Sequence, residues 1–375
     1  MKLSEIINLR ELEELIEEGY VSDRKHPRLP INVLNYTPKA VEIKQWSDTL
    51  SYCRGLVYDR ETIDVVAVPF KKFWNYGDEG HTGVLPTGIP RIFEKVDGSF
   101  LNLFFYKGEC VVCTRGSFES EQAIWAQKWV DDHLVGMGPD WFSRGFNYIF
   151  EVIIREDKKV VDYDFEGLVF LGYVKTEDGS EYAPDSQLRW IKGHKVAREL
   201  EYEDLEKLQA RNLDNEEGYV AVWYNSIGPA FRVKLKFETY KLLHRMYFQT
   251  TAEVIWEMVK NEELVEKDMS QILIGADPKL INWATTIAVS IALDKVDTER
   301  QSKRDFRECI ELTNILHDLE ASEKDRRKAF AMYATKRNNP SLLFTLYDGK
   351  MVQYTEQLWK LAKPENSRFR DKGEE

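Results

Sequence analysis

Arg91-Ile92-Phe93-Glu94-Lys95-Val96-Asp97-Gly98-Ser99-Phe100-Leu101-Asn102-Leu103-Phe104-Phe105-Tyr106 places a single lysine between two strand-like runs. Apolar Ile92 and Phe93 come before Lys95, and the β-rich segment Phe100–Tyr106 comes after Gly98. Two structures satisfy this pattern. Asp-Gly is the commonest two-residue turn signal, which makes Asp97-Gly98 the tip of a tight hairpin. In the other, Lys95 is a nucleophile at a strand end, Asp97 stands beside it, and Gly98 lets the backbone approach a phosphate closely.

Outward from this segment the texture stays β-rich from Leu29 to about Phe237. Runs at Arg54–Asp59, Thr62–Pro69, Arg91–Glu94, Glu109–Thr114, Asn147–Ile154, Gly167–Val174, Gly218–Trp223 and Ala230–Leu235 are separated by Asp-Gly, Asn and Pro turns. Helical spacing interrupts at Ser120–Leu134 and Glu201–Ala210. An opening helix is expected with Ser4 as its cap, a stripe of Ile6, Leu9, Leu12 and Ile16, and Gly19 as its stop. After about Tyr240 helical stripes take over, as in Phe306, Cys309, Ile310, Thr313 and Leu316, and in Val352, Leu358 and Trp359. The predicted class is α+β with antiparallel sheets, followed by an all-α domain.

The chain has 375 residues and 43% hydrophobic residues, enough for two domains with ordinary cores. Lysine and arginine total 52 against 64 acidic residues, a net charge of -12, so no global positive field gathers nucleic acid and any such site is a local patch. No apolar run reaches the roughly 20 residues of a membrane span, and the first twenty residues lack the layout of a signal peptide, so a cytoplasmic location and no membrane partner are expected. Four scattered cysteines do not make a disulfide framework, and in a strand the Cys110-Val-Val-Cys113 spacing sends the thiols to opposite faces, which disfavours zinc.

Polar residues recur at other strand edges. Glu151 sits inside Ile149-Phe150-Glu151-Val152-Ile153, where a bare carboxylate is expensive unless paired or metal-bound. Glu217-Gly218 opens a strand, and the offset of two in Lys234-Leu235-Lys236 puts both ammonium groups on one face. Arg54 begins a strand and Lys72 precedes Phe73-Trp74-Asn75. Taken singly, each is most simply a solvated or salt-bridged surface residue. Their joint order is informative: K-x-D-G, a Phe-Glu strand, Glu-Gly, then Lys-x-Lys resembles the covalent nucleotidyltransferase superfamily of ligases and capping enzymes. Tyr52-Cys53-Arg54-Gly55, Pro69 to Asn75, Gly116-Ser117 with Ser120 to Ala123, Glu217 to Val222, and Lys234 to Lys236 with Tyr240 and His244 narrow the resemblance to the T-even phage RNA ligase 1 family.

The resemblance implies an N-terminal nucleotidyltransferase (ATP-grasp-like ligase) domain over residues 1–245 and an all-α domain over 246–375. It implies an ATP-dependent RNA ligase, acting as a monomer, in which Lys95 attacks the ATP α-phosphate to form lysyl-AMP. The AMP then passes to an RNA 5′-phosphate, and an RNA 3′-hydroxyl displaces it. The implied partners are ATP and RNA, in particular broken tRNA, with Mg²⁺ as the metal and Mn²⁺ as its substitute. Tyr36, Arg54 and Lys72 become nucleotide contacts. Asp97 and Gly98 belong to the nucleophile motif, Glu151 to the ribose or the metal, and Glu217 to the metal shell, while Lys234 and Lys236 grip the α-phosphate. Arg115, in Thr114-Arg115-Gly116-Ser117, stands where the family usually carries lysine. Glu262 or Glu263 stands near the family's acidic metal neighbour, although a solvated helix face is the simpler reading of both.

Electrostatics sets a condition on this chemistry. An unperturbed lysine has a pKa of about 10.4, and lowering it by about three units needs roughly 4 kcal/mol of differential interaction. Arg54, Lys72, Lys234, Lys236 and a Mg²⁺ held with ATP are expected to provide it around Lys95. DNA ligases and capping guanylyltransferases share the lysyl-nucleotide chemistry but follow it with an OB-fold, which the helical C-terminal pattern disfavours. A catalytically silent RNA-binding protein on the same scaffold is the alternative from another class. For either function, Lys303, Arg304, Arg307, Lys324, Arg326, Arg327, Lys328, Lys336 and Arg337 offer a phosphate track, or else a charged solvent face interleaved with acids.

Overall fold

The computed structural model describes residues 1–43, 45–77, 85–133, 145–155, 160–184, 191–264, 268–274, 276, 278–316 and 321–367. The chain divides into two compact units, Met1–Leu242 and Leu243–Glu375. The first is α+β and the second is helical.

Three sheets build the first unit. One runs Val21–Lys25, Ile31–Tyr36, Arg54–Asp59, Val65–Ala67, with all neighbours antiparallel. The second has the order Glu181–Tyr182, Gly167–Lys175, Phe146–Ile153, Ser99–Tyr106, Glu109–Thr114. The third has the order Glu199–Leu200, Arg91–Glu94, Gly218–Trp223, Phe231–Lys236, Trp74–Asn75. The antiparallel expectation needs one correction. Trp74–Asn75 pairs with Phe231–Lys236 in parallel, and so does Lys195–Val196 with Gly167–Lys175. These two-residue strands are too short to show a period of their own, and tertiary context places them.

The hairpin reading of Asp97-Gly98 is overturned. Arg91–Glu94 lies in the third sheet and Ser99–Tyr106 in the second, so Lys95–Gly98 is a crossover between sheets. Burial drives the crossing: Val96 packs with Ile153, Val169 and Ala197. The glycine has a local reason. A Cβ on Gly98 would stand 2.6 Å from both Glu151 Cγ and the Val152 carbonyl oxygen, so only glycine lets the crossing backbone lie against the Phe146–Ile153 strand.

The opening helix also differs from expectation. Leu3–Glu5 forms a separate 3-10 turn with Leu3 buried, and the α-helix runs Leu9–Glu17. Its cap is Asn8, whose side chain accepts from the Glu11 N–H at 3.2 Å, rather than Ser4. Gly19, at φ 77°, follows its end. Glu121–His133 and Leu205–Ala210 form the other expected helices, the second capped by Asp204; Leu134 lies outside the described residues.

In the second unit every described regular element is a helix: Ala252–Lys260, Met269–Ile272, Pro278–Leu316, Glu323–Ala334, Pro340–Tyr347 and Met351–Leu361, after the boundary helix Glu238–Gln249. Ile255, Trp256, Met269, Leu273, Leu280, Ala284 and Ile291 form one core, and Cys309, Phe330, Ala334 and Leu343 another. The last helix is rotated from its predicted stripe. Tyr354 and Leu358, one turn apart, are its buried pair, and Val352 is 74% exposed. No described helix is long and apolar enough to cross a membrane. All four cysteines are free.

Gly218 carries the sharpest backbone constraint. It holds φ 132°, and a Cβ there would fall 2.0 Å from the Leu235 carbonyl oxygen. Gly218→Ala is expected to lower the thermal midpoint by roughly 5–10 °C. Gly228→Ala, also at positive φ but with nothing within 4 Å of the added carbon, is expected to lower it by less than half as much. Circular dichroism melts compare the two, and equal losses would contradict the steric account.

Candidate active site

Strand pairing in the third sheet sets the site. The Lys95 backbone N–H donates to the Gly218 carbonyl at 2.8 Å, which extends pairing one residue past Arg91–Glu94. Gly218 in turn lies opposite Lys236 in the next ladder. Glu217, which immediately precedes Gly218, is therefore carried between two lysines. Lys95 Nζ donates to Glu217 Oε2 at 2.6 Å, and Lys236 Nζ meets Oε1 at 2.7 Å. The carboxylate is 2% exposed, while the Lys95 side chain keeps 20% exposure. A buried carboxylate with two charge-assisted partners satisfies the rule that buried charge must be paired.

Asp97 plays a different part from a solvated carboxylate. Its Oδ2 accepts from the Val160 and Val161 N–H groups at 2.8 and 3.2 Å, and its Oδ1 accepts from the Tyr240 hydroxyl at 2.9 Å. Its own N–H donates to the Tyr163 oxygen at 2.8 Å. These bonds tie the crossover to the chain after residue 159 and to the helix that follows Lys236. Glu151 faces the same group from the second sheet. Burial raises its pKa to about 7; Lys95 opposes the rise, Glu217 adds to it, and Arg54 opposes it.

A second cluster is cationic and aromatic. Lys72 Nζ lies 4.1 Å from the Trp46 ring centroid, 4.3 Å from Trp74 and 5.3 Å from Tyr36. Arg115 lies over the Tyr36 ring at 5.1 Å, with Nη1 3.5 Å from its hydroxyl, and Arg54 also hydrogen-bonds that hydroxyl. Burial pushes the Tyr36 pKa up, but Arg54, Arg115 and Lys72 outweigh it, and the phenol is held below its usual value. Lys234 stands 4.7 Å from the Phe73 ring. Its pKa is driven well below the ordinary lysine value by burial and then by Arg54, Lys95, Lys72 and Lys236. For Lys95 the direction in the free protein is the opposite of that of Lys234. Burial pulls its pKa down, but Glu217 and Glu151 outweigh burial and place it above the ordinary value. The depressed amine is Lys234, because it is buried with cations around it, whereas Lys95 points at carboxylates.

Tyr36, Arg54, Lys72, Lys95, Asp97, Gly98, Arg115, Glu151, Glu217, Lys234 and Lys236 all belong to the first unit and interact with one another as described. Glu262 belongs to the second unit, exposed beyond the end of Ala252–Lys260 at φ 61°. Trp46, Trp74 and Tyr163 were not singled out from sequence. Trp46 and Tyr163 lie outside the motifs, and nothing in the spacing of Trp74 marks it as a wall around Lys72. Among the described residues no group of three His, Cys, Asp or Glu side chains is placed to hold a metal. A hydrated magnesium-type ion on one or two carboxylates would suit Glu151 and Glu217, both buried at Lys95: burial is the main cause of the raised Glu151 pKa and the Glu217 charge adds to it.

A family model described as RNA ligase, the T4 RNA ligase 1 family, matches residues 52–242, just over half of the chain. A Thermovibrio ammonificans protein named "Putative RNA ligase" is 24% identical over 73% of this chain and 81% of its own length. A "Putative bifunctional polynucleotide kinase/RNA ligase" of Autographa californica nuclear polyhedrosis virus is 21% identical over 62% of this chain, which spans only 36% of that relative. Among solved structures, an archaeal ATP-dependent RNA ligase aligns at 14% identity over 76% of this chain and 80% of its own, with TM-score 0.45. A Naegleria gruberi RNA ligase mutant with ATP and Mn aligns at 14% identity and TM-score 0.33, over 42% of this chain and 51% of its own. The chain thus spans about half of the Naegleria chain and about a third of the viral relative. By the match across its sheet-bearing unit, the chain belongs to the T4 RNA ligase 1 family of RNA ligases.

Proposed function

We propose that this chain is an ATP-dependent ligase that joins an RNA 3′-hydroxyl to a 5′-phosphate through a lysyl-AMP intermediate on Lys95, with broken tRNA as substrate. The observation that carries the reading is the bridge in which one buried carboxylate, Glu217, holds Lys95 and Lys236 together, on a chain of an RNA ligase family. Binding alone needs no such buried pairing of amines, which disfavours a silent RNA-binding protein. In this reading residues 1–245 carry the adenylyl transfer, residues 246–375 serve RNA choice, and the chain works as a cytoplasmic monomer.

The steps balance as follows. The Lys95 amine loses a proton and attacks the α-phosphorus of ATP, forming a P–N bond and releasing pyrophosphate. An oxygen of the RNA 5′-phosphate then attacks the same phosphorus and frees the lysine. Last, the 3′-hydroxyl attacks the RNA 5′-phosphorus, and AMP leaves. Lys234 and Lys236, with Arg54 and Lys72, supply positive charge where negative charge develops on phosphorus. The aromatic rings around Lys72 hold its ammonium in place. Tyr36 and Arg115 line the same side, and Asp97 positions the crossover that carries Lys95 rather than touching the nucleotide.

Glu217 holds Lys95 as an ammonium in the free protein, so the amine becomes nucleophilic only when the Glu217 charge is engaged elsewhere. A divalent ion, Mg²⁺ or Mn²⁺, held through Glu151, Glu217 and water, would neutralise the carboxylates that favour the ammonium and the charge that forms on phosphorus.

Incubation with labelled ATP and Mg²⁺ is expected to give an SDS-resistant protein adduct, stable in base and released by acid as a P–N bond requires, that Lys95→Ala does not form. Lys234→Ala and Lys236→Ala should slow adduct formation by roughly 100-fold, read in single-turnover time courses. Wild-type protein that stays unlabelled across pH and metal would return the silent-binder reading. A second outcome concerns the free protein. Reductive ¹³C-methylation followed by NMR titration should show Lys234 losing its proton well below the ordinary lysine range and Lys95 above it. Glu217→Gln should move the Lys95 transition to lower pH, because it removes the main charge favouring the ammonium. A Lys95 midpoint unchanged by that substitution would contradict the assigned pairing.

A further inference from the structure

The second unit holds a groove of about 680 Å³, lined by none of the residues assigned to the chemistry at Lys95. It lies between the helices Ala252–Lys260 and Met351–Leu361. Trp256 forms its buried floor and Trp359 a half-buried wall, while Lys260, Lys360 and Lys363 stand exposed at its rim with Glu356. The floor is fixed in orientation, since the Trp256 indole N–H donates to the Trp359 carbonyl at 3.0 Å. Lys260 and Lys363 place their ammonium groups 4.8 and 5.2 Å from the Trp256 ring centroid. Lys363 also pairs with Glu253.

Two indoles beneath a rim of three lysines suit a flat aromatic group carrying negative charge. We infer that this groove binds single-stranded RNA, with a base stacked against Trp359 above the Trp256 floor and flanking phosphates on Lys260, Lys360 and Lys363. Base stacking on aromatic side chains together with a positive groove is the general mode of single-strand recognition, and the volume is that of an ordinary ligand site. Charge complementarity selects the occupant: with Lys363 paired to Glu253, Lys260 and Lys360 stand against Glu356 and leave the rim net positive on a chain whose net charge is -12. The exposed Val352 at the same mouth adds apolar surface for a base edge.

The basic run noted in the sequence is a weaker site for the same ligand. Lys303 pairs with Glu299, Arg327 with Asp348, and Arg337 with Glu308, so three of those nine cations are already neutralised locally, and no pair of tryptophans accompanies the run. The groove's role as an RNA site deepens the ligase reading and rests on it for the choice of RNA over other polyanions.

The test uses the full chain, a fluorescein-labelled single-stranded oligoribonucleotide and anisotropy at about 0.1 M salt. The doubly substituted Lys260→Glu, Lys360→Glu protein is expected to bind roughly 10-fold more weakly, with a shallower dependence of affinity on salt. Trp359→Ala should weaken binding by a similar factor with the salt dependence unchanged, which separates stacking from charge. Adenylyl transfer from ATP is the control and should proceed at the wild-type rate in both variants, which also reports that they fold. RNA affinity unchanged in both variants, with adenylyl transfer intact, overturns the groove. RNA binding that depends on the groove in a wild-type protein that takes up no adenylate overturns the ligase reading and leaves the groove standing.

Discussion

The arrangement turns on one carboxylate. Glu217 is almost wholly buried and is shared by Lys95 and Lys236, which come from strands on either side of its own. Breaking such a buried pair by removing one partner costs about 3–5 kcal/mol, because the partner charge is left uncompensated. The backbone is built to permit it: Gly218 packs directly under the Leu235 carbonyl, and the Lys95 N–H closes onto the Gly218 carbonyl. The same bridge stabilises the protein with a definite pH window. The Glu217 pKa is depressed, so its contribution is present above the unfolded carboxylate value and is lost as pH falls through the folded one. The Lys95 pKa is raised, so its contribution is present below the unfolded lysine value and is lost as pH rises through the folded one.

Around that bridge the site separates into two electrostatic halves. Carboxylates Glu151, Glu217 and Asp97 gather at Lys95, and cations Arg54, Lys72 and Arg115 gather at Tyr36, with Lys234 exposed to the repulsion of the cationic half. A polyphosphate suits the cationic half and a divalent ion the acidic half. Burial first, and like charge after it, raise the Glu151 pKa and lower that of Lys234, and a ligand of opposite sign would favour the charged form of each.

Much of this was legible in the residues. The strands around Lys95, Glu217 and Lys234–Lys236 announced themselves by alternating or continuous apolar runs, and the offset of two placed the paired lysines on one face. The crossover was not legible, because Asp97-Gly98 is a strong hairpin signal locally and only the burial of Val96 and the anchoring of Asp97 by distant donors send the chain to another sheet. Trp74–Asn75 and Lys195–Val196 were invisible for want of length. The charge state of Lys95 in the free protein was not legible, because residue order shows which charges exist but not which lie nearest. Lysines and carboxylates were both expected there, and the ladder register puts Glu217 in contact and leaves the cations to Lys234.

That inversion makes Lys234 a rival, since it is the amine more readily neutral in the free protein. Peptide mass spectrometry of the protein after incubation with ATP and a divalent ion decides between them. The adenylyl group is expected on the peptide carrying Lys95, at Lys95 itself. An adenylyl group on Lys234, with Lys95 unmodified, would contradict the assignment of the nucleophile and with it the account of Glu217 as the group that holds and then releases it.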